Sequence, residues 1–300
     1  MTKTLFDLTY EVASEMGILQ EGTCTAGSTQ TIVDTNYLTQ VDNYWNHGSV
    51  WITYDAGAAG AAPQGEFSIV ADSSQTGSTI VVAPGWTTTT AANDRYAIAL
   101  GGQTGFQLDQ IKAAVNRAVR DVGYIPVTNS TTLMTTAAAQ TEYTLPVAAN
   151  TDLREVWIQT VTNDTANDNQ WAMVRNWGVI PSVIGTADTL VFQEQPAYVR
   201  DVMLKYMSPH PKLNISSDKL SESIREERVI YKAAWYALSA FRFRTRSMDD
   251  YLLMQIDELG ARAREADLKF PIRAPKRSSK IMSVGWSPTR ELAPGENKIT

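Results

Sequence analysis

The stretch Gln107–Val122 constrains this chain more than any other. Leu108, Ile111, Val115, Val119 and Val122 recur at spacings of three and four, which predicts an amphipathic helix. Asp109 in the first turn and Arg117 and Arg120 near the end complement the helix dipole, and Gly123 and Pro126 are its stop signals. A helix of roughly sixteen residues is not stable alone in water. Because both flanks are β-rich, its apolar face has to be covered by helices brought from distant parts of the chain.

Those helices are readable. Thr4 with Asp7 three residues on has the form of a capping box, Leu5, Leu8, Val12 and Met16 form one stripe, and Gly17 can supply a left-handed stop. Late in the chain, Leu220, Ile224, Tyr231, Trp235, Leu238 and Phe241 mark a face. Leu252, Ile256, Leu259, Ala263 and Ala266 mark another, introduced by a second capping-box pattern at Ser247 and Asp250. No firm breaker separates the two stripes, so residues 218–268 read equally as one bent helix or as two.

Between the helices lie two β-rich blocks. The first has short runs at Thr29–Val33, Val50–Tyr54, Glu66–Val70, Thr79–Ala83 and Arg95–Ala99, separated by turn-rich pieces. The second has runs at Thr131–Thr135, Glu142–Leu145, Glu155–Thr162, Gln170–Trp177, Thr189–Phe192 and Val199–Tyr206, and it ends at Pro209 and Pro211. After Phe270 the periodicity stops and prolines alternate with basic residues. The expected fold is therefore α+β: a discontinuous helical bundle with two inserted antiparallel β modules, each a small barrel or sandwich, and an extended C-terminal tail. The segments are 1–24 (N-terminal helix), 25–101 (β module), 102–125 (bundle helix), 126–211 (second β module), 212–270 (bundle helices) and 271–300 (basic tail).

Enzymatic machinery is not legible. His47 and His210 fall in different modules, with no paired-histidine or Cys–His spacing, and Cys24 is the only cysteine. Gly101-Gly102-Gln103-Thr104-Gly105 precedes a helix but lacks the Lys-Ser/Thr of a phosphate loop. Asp164 and Asp168 lie in a polar loop without the ligand alternation of a calcium site. No catalytic, cofactor-binding or metal-ligating residue is expected, and the chain is expected not to be an enzyme. No run approaches the ~20 apolar residues of a membrane span, and the N-terminus lacks an apolar leader. The expectation is a protein made in a cytoplasm that stays soluble until it meets its partners.

Charge is unevenly spread. The net charge is −6, yet residues 1–101 carry ten acids against Lys3 and Arg95, and the last third is rich in arginine and lysine. Arg242, Arg244 and Arg246 suit salt bridges to an acidic neighbour. In the tail, Trp286 has no local core to join and reads as a docking anchor.

Several segments carry a resemblance. Thr39-Gln40-Val41-Asp42-Asn43-Tyr44-Trp45-Asn46-His47-Gly48-Ser49-Val50-Trp51-Ile52, Gly65–Val70 and Asp94-Arg95-Tyr96 resemble a β module of tailed-phage virion proteins. Ile111–Gly123, Glu142–Pro146 and Tyr206–Pro211 are similar to segments of phage neck, or head-to-tail adaptor (connector), proteins. The resemblance implies a structural virion protein: a homo-oligomeric ring, commonly a dodecamer, beneath the portal protein, in contact with tail or other neck proteins. DNA would pass through its bore without sequence-specific binding, and no membrane is involved. Twelve copies at −6 would carry roughly −70, a field that lets DNA slide. It implies partner-binding roles for Arg242, Arg244, Arg246, Phe270, Ile272, Arg273, Lys276, Arg277, Lys280 and Trp286. Many adaptors are smaller and mostly helical, so the β modules leave open a place in the tail or a role in holding fibres. Two other functions stand beside this one. The first is a virion-borne fibre or host-glycan binding module using Trp45 and Trp51; the second, less favoured, is a tail-associated cell-wall hydrolase.

Overall fold

Thr4 begins the structure as the sequence prescribes. Its side chain accepts from the Asp7 amide (3.2 Å) while its own amide donates to the Asp7 carboxylate (2.8 Å), capping helix α1, Leu5–Glu15. The computed structural model describes residues 2–101, 105–146, 152–161, 170–182, 187–196, 199–246 and 249–275. Among these are four helices and three antiparallel sheets, so the chain is α+β. They divide into two compact units: one of residues 1–123 and 209–272, the other built on residues 124–208.

The first unit combines a barrel with the helices. After α1, Gly17 takes φ +67°, and the chain enters β1 (Gln20–Thr23) and β2 (Ala26–Gly27). The sheet thus starts inside the segment assigned above to the N-terminal helix. β3 (Thr31–Val33), β4 (Ser49–Tyr54), β5 (Phe67–Ser74), β6 (Thr79–Ala83) and β7 (Arg95–Ala99) complete it in the order β1-β7-β4-β5-β6-β3-β2. Its two end strands, β1 and β2, are separated by Cys24 and Thr25 alone, so the sheet curls round and closes through one continuous run. Cys24, Ile32, Trp45, Val50, Ile52, Val70, Ile80, Val82, Trp86, Tyr96 and Ile98 fill it.

β4 is buried on both faces. Val50 and Ile52 point into the barrel, while Trp51 points out and donates its indole N–H to Thr9 on α1 (3.0 Å). Opposite Trp51, Ala97 of β7 is small enough to let the helices approach. α2 (Leu108–Asp121) follows, with Leu108, Ile111, Val115 and Val119 buried on its expected face.

Past residue 212 the chain returns to the same unit. The Asn116 side chain bonds both backbone groups of Leu213 (2.9 Å each), and Leu220 N–H donates to the Lys3 carbonyl (2.9 Å). Two helices follow, α3 (Glu226–Thr245) and α4 (Asp250–Lys269); Leu220 and Ile224, expected on the first stripe, are buried but precede α3, whose buried face is Val229, Ile230, Ala233, Ala234, Ala237 and Leu238 rather than Tyr231, Trp235 and Phe241. Arg246 between them takes φ +52°, and Asp249 caps α4 by accepting from the Tyr251 amide (3.0 Å). The cap expected at Ser247 lies outside the described residues. α3 packs against α1, α2 and α4, and α1 also packs against α2, so the helices form a bundle from separated segments.

The second unit is a sandwich. β8 (Tyr124–Thr135), β9 (Glu142–Thr144), β10 (Leu153–Val161), β11 (Gln170–Val174), β12 (Trp177–Ile180), β13 (Thr189–Phe192) and β14 (Asp201–Pro209) form sheets β11-β10-β14-β8 and β12-β13-β9. Val156, Val202 and Leu204 of the first share a core with Tyr143, Trp177, Leu190 and Phe192 of the second. The single strand expected over Gln170–Trp177 is instead two strands in different sheets, broken at Arg175–Asn176. Pro126, expected as a helix stop, lies within β8, an edge strand in which a missing N–H is tolerated. The loop Asn163–Asn169 lies outside the described residues.

Candidate functional site

The end of α3 gathers the arginines singled out in the sequence. Arg244 donates to the Gly105 carbonyl (2.6 Å) and lies 5.3 Å from the Phe241 ring, which stacks on Phe106 at 4.5 Å. Arg242 is half-buried, and Arg246 is exposed at the left-handed residue that ends α3. At the far end of α4, Phe270 is engaged within its own unit. Its carbonyl accepts from Arg228 (3.1 Å), and the guanidinium of Arg225 sits 6.0 Å from its ring. Ile272 is half-buried and Arg273 exposed. The ten residues therefore do not form one cluster: the arginine group and the Phe270 region lie at opposite ends of the α3–α4 hairpin. Lys276, Arg277, Lys280 and Trp286 lie outside the described residues.

Large apolar side chains are exposed along the hairpin, three near the arginines and Leu268 near Phe270. Phe243 is 80% exposed, and on α4 Tyr251, Met254 and Leu268 are exposed by 67%, 61% and 84%. All four depart from the three-and-four stripe of their helix, and that departure was the available signal. Between α2 and α3 runs a cavity of about 280 Å³ lined by Ala113, Ala114, Ala237 and Ala240, and by Arg117 and Arg244. Arg117 lies over the Tyr236 ring at 4.0 Å. Burial, and then the hydrogen bond it donates to Asp121, raise the Tyr236 phenol above its ordinary value.

A larger cleft, about 630 Å³, lies between α2 and residues 209–214, lined by Lys112, Arg120, His210 and Lys212 among others. His210 is committed to the backbone there: its Nε2 accepts from the Ser221 amide (3.0 Å) and its Nδ1 faces the Pro211 carbonyl (2.6 Å). His47 is exposed in the turn before β4, at φ +64°. Among the described residues no three His, Cys, Asp or Glu side chains are grouped to hold a metal ion, and no helix is long and apolar enough to cross a membrane.

Trp45 and Trp51, the aromatics on which glycan binding would rest, are 2% and 0% exposed. Cys24 is buried as well, and burial first, then the Asp94 and Asp34 carboxylates, push its thiol up to about 12. No protein-family model and no curated protein matches this chain.

Proposed function

We propose that this chain is a structural subunit of a tailed-phage virion, repeated as a ring at the head-to-tail neck, where it joins portal to tail around the passing DNA. The observation that carries this reading is the α3–α4 hairpin. It is anchored through α3 to a bundle of distant segments, yet it turns Phe243, Tyr251, Met254 and a set of arginines outward. Large apolar side chains grouped with charge on one rigid element are the composition of a contact surface. The resemblance of Ile111–Gly123 and its neighbouring segments to neck adaptors supports the choice of particle. The ring's partners would be a portal above and tail or other neck proteins below, with the basic tail beyond residue 271 reaching the portal.

Electron microscopy of the parent particle, with the chain located by a C-terminal tag, tests the reading. Tag density in a ring beneath the portal is the expected result. A location at fibre tips, or absence from the particle, would sink it. Virion-borne glycan binding is the weaker alternative, because Trp45 and Trp51 are spent on the barrel core and the α1 contact.

A further inference from the structure

We infer that the groove between α2 and α3 receives the outer face of α4 from a neighbouring copy, so that one repeated helix-into-groove contact builds the assembly; this rests on the ring reading above. The groove is narrow and chemically defined. Ala113, Ala114, Ala237 and Ala240 line it, small enough for a third helix to approach between the larger Gln110, Tyr236 and Phe241, and Arg117 and Arg244 complete its lining. Arg244 donates to the Gly105 carbonyl and Arg117 lies on the Tyr236 ring, but among the described residues neither belongs to an ion pair.

The complementary surface is on the same chain. α4 buries Ile256, Leu259, Ala263 and Ala266 against its own bundle. At 100° per residue, Tyr251, Met254, Glu258, Ala261, Glu265 and Leu268 fall on one further face, nearly opposite the buried one, and all six are exposed. A helix with a second, partly apolar stripe is one that has a partner on each side. The stripe's acids, Glu258 (paired with Arg262 on the same helix) and Glu265, are opposite in sign to the groove's arginines, and its Tyr251, Met254 and Leu268 offer apolar surface to the groove's alanines.

Charge selects between occupants. The chain's own tail, with Lys276, Arg277 and Lys280, has the same sign as the groove's arginines. A nucleic-acid phosphate would satisfy the arginines but leave the alanine lining wet. The acidic–apolar face of a second α4 satisfies both. α2 and α4 flank α3 without packing substantially on each other, so groove and stripe are separate surfaces of one unit. A contact between two different surfaces is heterologous, and repeated heterologous contacts close into rings or run on as filaments.

The test is a charge-exchange cycle on the full-length protein, read by sedimentation velocity and native mass spectrometry, with the thermal midpoint confirming that each variant is folded. Arg244→Glu and Glu258→Arg are each expected to weaken self-association by about tenfold or more, and the double variant is expected to recover most of it. Ala240→Trp fills the groove from an exposed lining position and is expected to block assembly without lowering the midpoint. Assembly unchanged in Ala240→Trp and in both single variants would overturn the groove contact while leaving a ring intact by other surfaces. A wild-type chain that is monomeric at high concentration, and absent from the neck of its particle, would overturn both readings.

Discussion

Trp51 and Cys24 illustrate how much of this chain's side-chain chemistry is committed to the fold. Trp51 fills the seam between barrel and α1 and satisfies its N–H on Thr9, so Trp51→Ala removes a large buried ring and leaves a hydroxyl without its donor. The expected loss is about 3–5 kcal/mol, seen as a lower denaturation midpoint. Loss of glycan binding with unchanged stability would contradict the core assignment. Three of the ten acids in residues 1–101 are also internal. Asp34 accepts from the Asn36 and Tyr37 amides (3.0 and 3.1 Å) and the Tyr96 hydroxyl (3.0 Å); Asp94 accepts from the Ala56 and Ala91 amides (2.8 and 2.7 Å); and Asp55 accepts from the Gly57 amide (2.7 Å). The surface of that third is therefore less acidic than its composition. These burials set an alkaline limit. Burial first, then the Asp34 carboxylate, raise the Tyr96 phenol, while the Cys24 thiol moves from an ordinary 9.0 to about 12. Both groups keep their protons in the folded chain to higher pH than in the unfolded one. Stability should be complete below pH 9 and fall above it, by about 1.4 kcal/mol per pH unit for each group released only on unfolding. Urea unfolding between pH 8 and 11 measures that slope, and a flat profile would contradict it.

At the scale of elements, the α3–α4 hairpin is held by one ion triad. Asp267 near the end of α4 takes Arg228 (2.9 Å) and Lys232 (3.1 Å) from the start of α3. Burial alone would raise the Asp267 carboxyl, but the hydrogen bonds from Lys232 and Arg228 outweigh it and hold the group below the usual carboxylate range. Its contribution is present above the ordinary carboxylate range and is lost as pH falls through the depressed folded value. Asp267→Asn should destabilise by about 1 kcal/mol at neutral pH, allowing for its partial exposure, and the gap from wild type should narrow under acid. Parallel unfolding of both proteins at neutral and acid pH checks this. α1, α2 and α4 were legible because each has an uninterrupted apolar stripe, and the barrel strands because turn residues bracket them; the start and buried face of α3 were not, because that face is largely alanine. The break at Arg175–Asn176 was not legible, since β-favouring residues flank it on both sides and one polar pair does not by itself end a strand; the pairing partners, β10 on one side and β13 on the other, separate its halves. β1 and β2 were missed for a related reason: Gln20–Gly27 has little apolar alternation and is strand by virtue of closing the barrel. Of the contact surface, the arginines were legible as a charge group. The α2–α3 groove was not, because alanines read as ordinary helix interior until two helices are laid side by side.

For the whole molecule, the position of the second unit in the chain has a consequence. Residues 124–208 leave the first unit after α2 and re-enter it at Pro209, and Val119 and Arg120 line the same cleft as Pro209–Asn214. Exit and return therefore lie close together on one face of the first unit, the arrangement in which an inserted module can be removed without separating the elements it interrupts. The four helices and the closed barrel all belong to the first unit, and the barrel core is built from residues of that unit. Replacing Tyr124–Ser208 with a short Gly-Ser linker should leave a protein that unfolds cooperatively and retains its helical circular dichroism. Its urea m-value should be reduced in proportion to the surface removed. Because groove and α4 stripe are both in the retained unit, the shortened chain should also still assemble, and Arg244→Glu should still weaken it. A shortened chain that does not fold would mean that the bundle draws its stability from the sandwich. One that folds but stays monomeric would move the assembly contact onto the second unit.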